Sequence, residues 1–168
     1  MFGNYSNVQL SNDGADNWRQ AYVNEADSHP ANAVTPKNAA YHSIGLENTS
    51  CWQVFWQDAN TMMGCYSDIG GIRSTDAGQS WGFQYTGMSV NSLYRMVKGA
   101  DGTMYGGCSN IHDIYQSTRL QDSKLDASDA NGKIVFSKDN GATWSNLKVF
   151  NHPVYWLAGC PNNPNLYY

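Results

Sequence analysis

The sequence predicts an all-β protein, a β-propeller of four-stranded antiparallel blades with about three blades' worth of chain. Three observations predict it. One octapeptide occurs three times, the repeating unit has the length of a propeller blade, and no stretch sustains a helical hydrophobic period. A chain of 168 residues would ordinarily form one domain with a sizeable core.

The repeated octapeptide follows the template S-x-D-x-G-x-x-W. Its copies begin 63 residues apart, at positions 11, 74 and 137, and the first copy has Ala15 in place of glycine. An aspartate in a hairpin accepts backbone N–H hydrogen bonds, glycine supplies a positive φ, and tryptophan buries its ring beside the turn. We therefore expect a structural, turn-locking role, with Trp18, Trp81 and Trp144 in equivalent buried positions.

A second landmark sets the length of the repeating unit. Met62–Cys65 and Met104–Cys108 are interpreted as equivalent strand ends, which makes Cys65 and Cys108 equivalent. The two cysteines lie 43 residues apart, so each 63-residue spacing contains a 43-residue core unit and an extra stretch of 20 residues, placed differently. A unit of this length is typical of a four-stranded propeller blade.

Short runs of aliphatic and aromatic residues between turn sequences predict the strands. The unit ending at residue 151 supplies four: Ser92–Val97, Thr103–Gly107, Lys133–Ser137 and a strand beginning at Trp144. Towards the chain ends, the predicted strands are Val8–Leu10 as a third strand, Val154–Leu157 as a first and Asn165–Tyr168 as a second.

These strands divide the chain into two half-blades and two whole blades. Residues 1–40 form a half-blade plus an insertion, 41–91 a blade, 92–151 a blade with an insertion at 109–132, and 152–168 a half-blade. Three blades are fewer than the four or more that close a propeller. We expect a segment of a larger propeller, or one part of an assembly in which several copies close the ring.

Composition and charge exclude several functional classes. Charged residues make up 14% and aromatic residues 13% of the sequence, a balance that argues against disorder. The net charge of −4 argues against nucleic acid or an anionic membrane as the main partner. No apolar run is long enough to span a bilayer, and the first five residues lack the features of a signal peptide.

The cysteines leave two interpretations open. Cys51, Cys65, Cys108 and Cys160 form no CxxC pair and have no zinc-ligand spacing, so a structural metal site is not expected. An even number permits two disulfides in three connectivities, and the alternative is four small buried residues. Equivalent points of neighbouring blades lie too far apart for a disulfide, so no bond between Cys65 and Cys108 is expected.

The octapeptide resembles the Asp-box, or BNR repeat, of sialidases, sortilin-type receptors and xyloglucan-cleaving glycoside hydrolases. Its three copies extend the resemblance over nearly the whole chain. The resemblance implies the propeller architecture and says little about activity, because one fold hosts many functions. Together with the low charge, it implies an extracellular or periplasmic protein, and no cofactor is expected.

A second resemblance concerns Asp68. The run Ser67–Arg73 is similar to the TDIGG-type run near the start of xyloglucan-active glycoside hydrolases, whose aspartate is one of two catalytic carboxylates. Such enzymes invert the configuration of the anomeric carbon: a carboxylic acid protonates the leaving oxygen and a carboxylate activates water. The resemblance implies that Asp68 is catalytic, while the second carboxylate of that family has no counterpart in this sequence. The alternative is that Asp68 caps a glycine turn.

Repeat register brings further polar residues towards the face of Asp68. His112 and Asp113 follow a second strand and His152 precedes a first strand, so all three are candidate ligand-binding residues. Their separations carry no metal-ligand signature, and loop hydrogen bonding is the alternative. We expect Asp68 to face a central channel, open to solvent, beside the loop Asn110–Tyr115 and within reach of His152.

Aromatic side chains are candidate platforms for sugars, because aromatic faces stack on the C–H faces of pyranose rings. The candidates are Trp52, Trp56, Tyr115 and Trp156. Packing between blades is the alternative interpretation, and at least two of the four are expected in the core.

Sialidase activity is not expected from the arginines. A sialidase needs an arginine cluster for the substrate carboxylate, whereas Arg19 and Arg73 flank octapeptides and no Arg-Ile-Pro start is present. Two hypotheses remain. The first is a secreted propeller that hydrolyses a plant or microbial polysaccharide with Asp68. The second is a non-catalytic propeller that binds a protein or glycan. The expected partners are a glycan and the rest of the ring.

Overall fold

The structure, a computed structural model, describes residues 2–3, 8–30, 32–34, 36, 38–43, 47, 49–112, 131–160 and 163–167, with residues 2–3 and 163–167 described by their backbone alone. Over these ranges the chain is all-β, as the sequence predicts. Its strands form four antiparallel sheets, and the one helical element described is a 3₁₀ turn at Glu25–Asp27. No described helix is long and apolar enough to cross a membrane.

The strands of each sheet follow one another along the chain and pair with their sequence neighbours. Sheet I contains β1 (Phe2–Gly3), β2 (Val8–Leu10) and β3 (Arg19–Gln20). Sheet II contains β4 (Cys51–Trp56), β5 (Met62–Tyr66) and β6 (Gly71–Ser74). Sheet III contains β7 (Ser92–Lys98), β8 (Met104–Ser109), β9 (Gly132–Ser137) and β10 (Ser145–Phe150). Sheet IV contains β11 (Ala158–Cys160) and β12 (Asn163–Tyr167).

Sheet III has the four strands that the sequence predicts, in the predicted order. Strand β7 begins at Ser92, and β10 begins one residue after Trp144. The prediction for the N-terminal residues was incomplete, because β1 pairs with β2 and adds a strand before the predicted one. The described sheets do not by themselves close into a ring.

Sheets II and III pack face to face. Phe55, Met63 and Cys65 contribute buried side chains from sheet II. Sheet III contributes Leu93, Met96, Met104, Cys108 and Val135. The side chain of Gln53 joins the two sheets, because its Oε1 accepts a hydrogen bond from the backbone N–H of Met96 at 2.7 Å. This contact holds the first strand of sheet II against the first strand of sheet III.

The opposite face of sheet III is covered by residues 154–157, where Val154 and Leu157 are buried. The prediction of a strand at Val154–Leu157 was wrong, because pairing in sheet IV begins only at Ala158. The backbone N–H of Val154 instead reaches the carbonyl of Cys108 at 3.4 Å. A Cβ at Gly107 would lie 2.9 Å from the carbonyl oxygen of Val154, so this glycine permits the close approach.

The strand register relates sheet II to sheet III. Met62 pairs with Ser74 in sheet II, and Met104 pairs with Ser137 in sheet III. Because both serines open an octapeptide, Met62 and Met104 are equivalent residues. Their side chains also take equivalent places beside the glycine of the octapeptide. A Cβ at Gly78 would lie 3.4 Å from the Met62 side chain, and a Cβ at Gly141 would lie 3.5 Å from the Met104 side chain.

This register corrects the predicted equivalence of Cys65 and Cys108. Counting from the paired methionines, Gly107 and not Cys108 is the equivalent of Cys65. Cys65 and Cys108 enter the same core from opposite sheets. The equivalence on which the argument against a bond between them depended was wrong, while the two thiols are free, as predicted. The structure has all four cysteines as free thiols, with Cys51 exposed and Cys160 partly exposed. The interpretation of the four cysteines as small buried residues is thus correct for Cys65 and Cys108 alone.

The octapeptide turns share one hydrogen-bond pattern. In the third copy, Ser137 Oγ donates to Asp139 Oδ1 at 2.7 Å, and the same oxygen accepts the backbone N–H of Thr143 at 2.8 Å. The indole Nε1 of Trp144 donates to the carbonyl of Gly141 at 3.0 Å. The first and second copies make the same three bonds. The aspartate therefore locks the turn as predicted.

The three tryptophans are not equally buried, which corrects the prediction for Trp18. Its side chain is 47% exposed, whereas Trp81 is 7% and Trp144 is 4% exposed. The reason lies in the neighbouring segments of the same chain. The backbone of Trp81 pairs with Tyr41 and that of Trp144 with Thr86, so each is flanked by an additional segment. Trp18 instead lines a cavity.

Candidate functional site

Asp68 lies in the tight connection between β5 and β6. The N–H of Tyr66 donates to the carbonyl of Gly70 at 2.8 Å and closes the turn, in which Asp68 and Gly70 both have a φ of 67°. A positive φ is costly for an aspartate, although aspartate tolerates it better than most residues. The N–H of Gly70 donates to the carbonyl of Asn91, so the connection is anchored at the start of sheet III.

The side chain of Asn91, just before sheet III, holds the Asp68 carboxylate, and Thr49 lies beside it. Asn91 Nδ2 donates to Oδ1 at 3.1 Å, and Thr49 Oγ1 lies 3.5 Å from Oδ2. The backbone N–H of Asp68 reaches Ser92 Oγ at 3.4 Å. The side chain is 26% exposed, so the carboxylate is accessible and yet fixed in place. It therefore remains available to a ligand.

His112 is the predicted ligand residue that the structure brings to Asp68. Its Nε2 lies 4.0 Å from Asp68 Oδ1, and its side chain is 65% exposed. Asn91 connects the two residues, because its Nδ2 also donates to the carbonyl of Ile111 at 2.6 Å. An exposed imidazole at this distance attracts the carboxylate when it is protonated.

A row of aromatic side chains borders the site. The same aromatic–serine contact occurs in sheets II and III, which the sequence analysis did not predict. Trp52 Nε1 donates to Ser67 Oγ at 2.9 Å, and the Tyr94 hydroxyl lies 2.6 Å from Ser109 Oγ. Each aromatic residue occupies a β-bulge of the first strand in its sheet. The rings of Trp52 and Tyr94 meet edge-on at 5.5 Å, and Tyr155 follows at 5.2 Å from Tyr94. Burial raises the pKa of Tyr94.

The signal for this row was present in the sequence. Once the register is corrected, the run Ser67–Ile69 aligns with Ser109–Ile111, and Trp52 aligns with Tyr94. Alignment on the cysteines displaced these pairs by one residue. Thr49 and Asn91 precede their strands in irregular segments, so no hydrophobic periodicity marks them.

The candidate sugar platforms are more exposed than expected. Trp52 is 45%, Trp56 is 56% and Trp156 is 61% exposed, so the expectation that at least two of the four aromatic candidates lie in the core was wrong. Trp56 lies on the face of β4 opposite Phe55, away from sheet III. Trp52, in the bulge, instead contacts Tyr94 of sheet III. The guanidinium of Arg95 covers the ring of Trp156 at 4.2 Å.

The other predicted site residues are placed as follows. His152 is exposed and its carbonyl lies against Gly132, where a Cβ would overlap it. Asp113 and Tyr115 lie outside the described residues. In the described part of the chain, no three His, Cys, Asp or Glu side chains are grouped so that they could hold a metal ion.

Comparisons with known proteins do not assign a family. No protein-family model matches the sequence, and no curated protein matches it. The function is therefore inferred from the residues and their geometry.

Proposed function

We propose that this chain is part of a secreted, carbohydrate-active β-propeller and that Asp68 acts on a bound polysaccharide as a catalytic carboxylate. The observation that carries the proposal is the Asp68 carboxylate, accessible to solvent, fixed by Asn91 and 4.0 Å from His112. Preorganised polar groups of this kind mark binding and catalytic sites. Exposed indoles at Trp52 and Trp156 support a glycan as the ligand.

The propeller part of the proposal is supported by the order of the sheets. Sheets II and III pack face to face, and residues 154–157 cover the next face of sheet III. Sheets II and III also repeat the same bulge and the same octapeptide turn. Further blades, from the same protein or from other copies, would close the ring in this proposal.

The hydrogen bonds favour one catalytic role for Asp68. Asn91 Nδ2 donates to the carboxylate at Oδ1, so the group suits the acceptor role of a base. In an inverting hydrolysis, the base removes a proton from the attacking water while a second acid, about 6.5–9.5 Å away, protonates the leaving oxygen. We propose that this second acid comes from another part of the protein.

Asp68→Asn tests the catalytic proposal. The amide keeps the size of the side chain and removes its basicity, so hydrolysis should fall by at least about a hundredfold while glycan binding persists. Release of reducing ends from xyloglucan and other plant polysaccharides measures the first, and calorimetric titration measures the second. Asp16→Asn is the matched control, because Asp16 is an exposed aspartate outside the site. Full hydrolysis by Asp68→Asn would refute the catalytic role.

A second candidate function is a non-catalytic propeller that binds a protein or glycan. It is favoured by the hydrogen bond from Asn91 to Asp68 Oδ1, which ties the turn to the start of sheet III. In this case the wild-type protein binds a glycan without releasing reducing ends. Asp68→Asn then weakens the turn, lowering the denaturation midpoint.

A further inference from the structure

A cavity of about 590 Å³ lies between sheet I and the segment that follows it, in a part of the chain distinct from the Asp68 turn. Its volume falls within the range of about 300–1,000 Å³ that is typical of small-ligand sites. Tyr41 forms part of its wall and is pinned in place, because its backbone exchanges two hydrogen bonds with Trp81, at 2.8 and 2.9 Å. The cavity is thus attached to the outer edge of sheet II.

Aromatic rings form one part of the lining: Trp18, Tyr22 and Tyr41. The Trp18 ring is held by its Nε1, which donates to the carbonyl of Ala15 at 3.1 Å, and yet the side chain is 47% exposed. It also lines an adjoining cavity of about 300 Å³. A ring fixed by its own turn and open to solvent is a preorganised stacking surface.

Charged groups form another part of the lining: Arg19, Asp27 and Glu47. Asp27 Oδ2 accepts the backbone N–H of His42, and Glu47 accepts the hydroxyl of Tyr41, so both carboxylates are oriented. Burial, together with this hydrogen bond to Glu47, raises the pKa of Tyr41. The Nε of Arg19 is buried and has no hydrogen-bond partner among the described residues.

This lining matches the chemistry of a neutral sugar. A pyranose presents C–H faces to aromatic rings and hydroxyl groups to charged acceptors and donors, whose hydrogen bonds are stronger than neutral ones. Two carboxylates against one guanidinium disfavour a phosphate or another anion.

We propose that this cavity binds pyranose units of an extended polysaccharide, as a subsite additional to Asp68. The inference rests on the proposed function and names a second contact region for the same ligand. Glu47 lines the cavity, and Thr49, which approaches Asp68 at 3.5 Å, follows two residues later. Two residues span at most about 7 Å, so one chain of several sugar units can contact both places.

Titration of the wild-type chain and its variants with cellobiose, cellohexaose and a xyloglucan oligosaccharide tests the subsite. Trp18→Ala should weaken binding of the longer sugars by about tenfold or more, because it removes a stacking surface. Trp18→Phe, which keeps a ring, should recover most of the affinity. Phe83→Ala is the control, since Phe83 is an aromatic residue that is 41% exposed and belongs to neither lining. Circular dichroism checks that each variant is folded.

The outcomes separate the subsite from the proposed function. If Asp68→Asn loses hydrolysis while Trp18→Ala and Phe83→Ala both bind the sugars as wild type does, the subsite is refuted and the proposed function stands. If Trp18→Ala loses the long sugars while Asp68→Asn changes neither hydrolysis nor binding, the subsite stands and Asp68 is not catalytic. If the wild type binds none of the three sugars, the subsite is refuted directly.

Discussion

The first and third octapeptide turns have the same internal hydrogen bonds and different surroundings. In each, an aspartate binds the backbone four residues later and the tryptophan indole binds a carbonyl within the turn. Trp144 is buried in the core between sheets II and III, whereas Trp18 is 47% exposed beside a cavity. The comparison teaches that the octapeptide determines the turn, and that the neighbouring segments determine whether its tryptophan stabilises a core.

The largest expected effect on stability comes from replacing the two tryptophans. Trp144→Ala should lower the free energy of unfolding by about 3–5 kcal/mol, because it leaves a cavity in the main core. Trp18→Ala should cost less than about 1 kcal/mol, since its ring is half exposed. Urea denaturation followed by circular dichroism measures both. Equal losses for the two variants would show that the tryptophan serves the turn itself and that burial adds nothing.

The next effect concerns the aspartates. Asp139→Ala should lower the free energy of unfolding by about 1–3 kcal/mol, because Thr143 loses the acceptor of its backbone N–H and of its hydroxyl. Asp13→Ala removes the corresponding bonds from a turn in which residues 12–18 are exposed, whereas Ser137 and Gly141 of the third turn are buried. It should cost less, by the same denaturation measurement. A larger loss for Asp13→Ala would reverse the comparison between the two turns.

The fold was predictable wherever local patterns determine it. The strands of sheet III follow from alternating apolar residues and glycine turns, and the octapeptides mark the hairpins. The equivalence of Cys65 and Cys108 failed because identical residue types were matched, whereas the strand register pairs Met62 and Met104 with the serines that open the octapeptides. Residue identity is a weaker guide than register when a strand gains one glycine.

The candidate site was predictable in part. Asp68 and His112 were found because each follows a second strand, and the structure places them 4.0 Å apart. Asn91 donates to Asp68, from which it is 23 residues away in sequence. It was missed because this contact depends on the packing of sheet II against sheet III. The exposure of Trp18 could not be read from its octapeptide for the same reason, since it depends on which segment lies over the turn.

The smallest expected effect is the dependence of stability on pH, which the octapeptide aspartates predict. Hydrogen bonds lower the pKa of Asp139 to about 2, the largest from the Thr143 hydroxyl and the next from its backbone N–H. A carboxyl with a lowered folded-state pKa stabilises the fold fully above its unfolded pKa of about 3.9, and this contribution is lost as the pH falls towards 2. Asp139→Asn should therefore be less stable than the wild type at pH 5, and the difference should shrink as the pH approaches 2.

Denaturation midpoints between pH 2 and 5 measure this difference in stability, with Asp16→Asn as control. A difference that stays constant with pH would mean that the Asp139 hydrogen bonds stabilise the turn without depending on its charge.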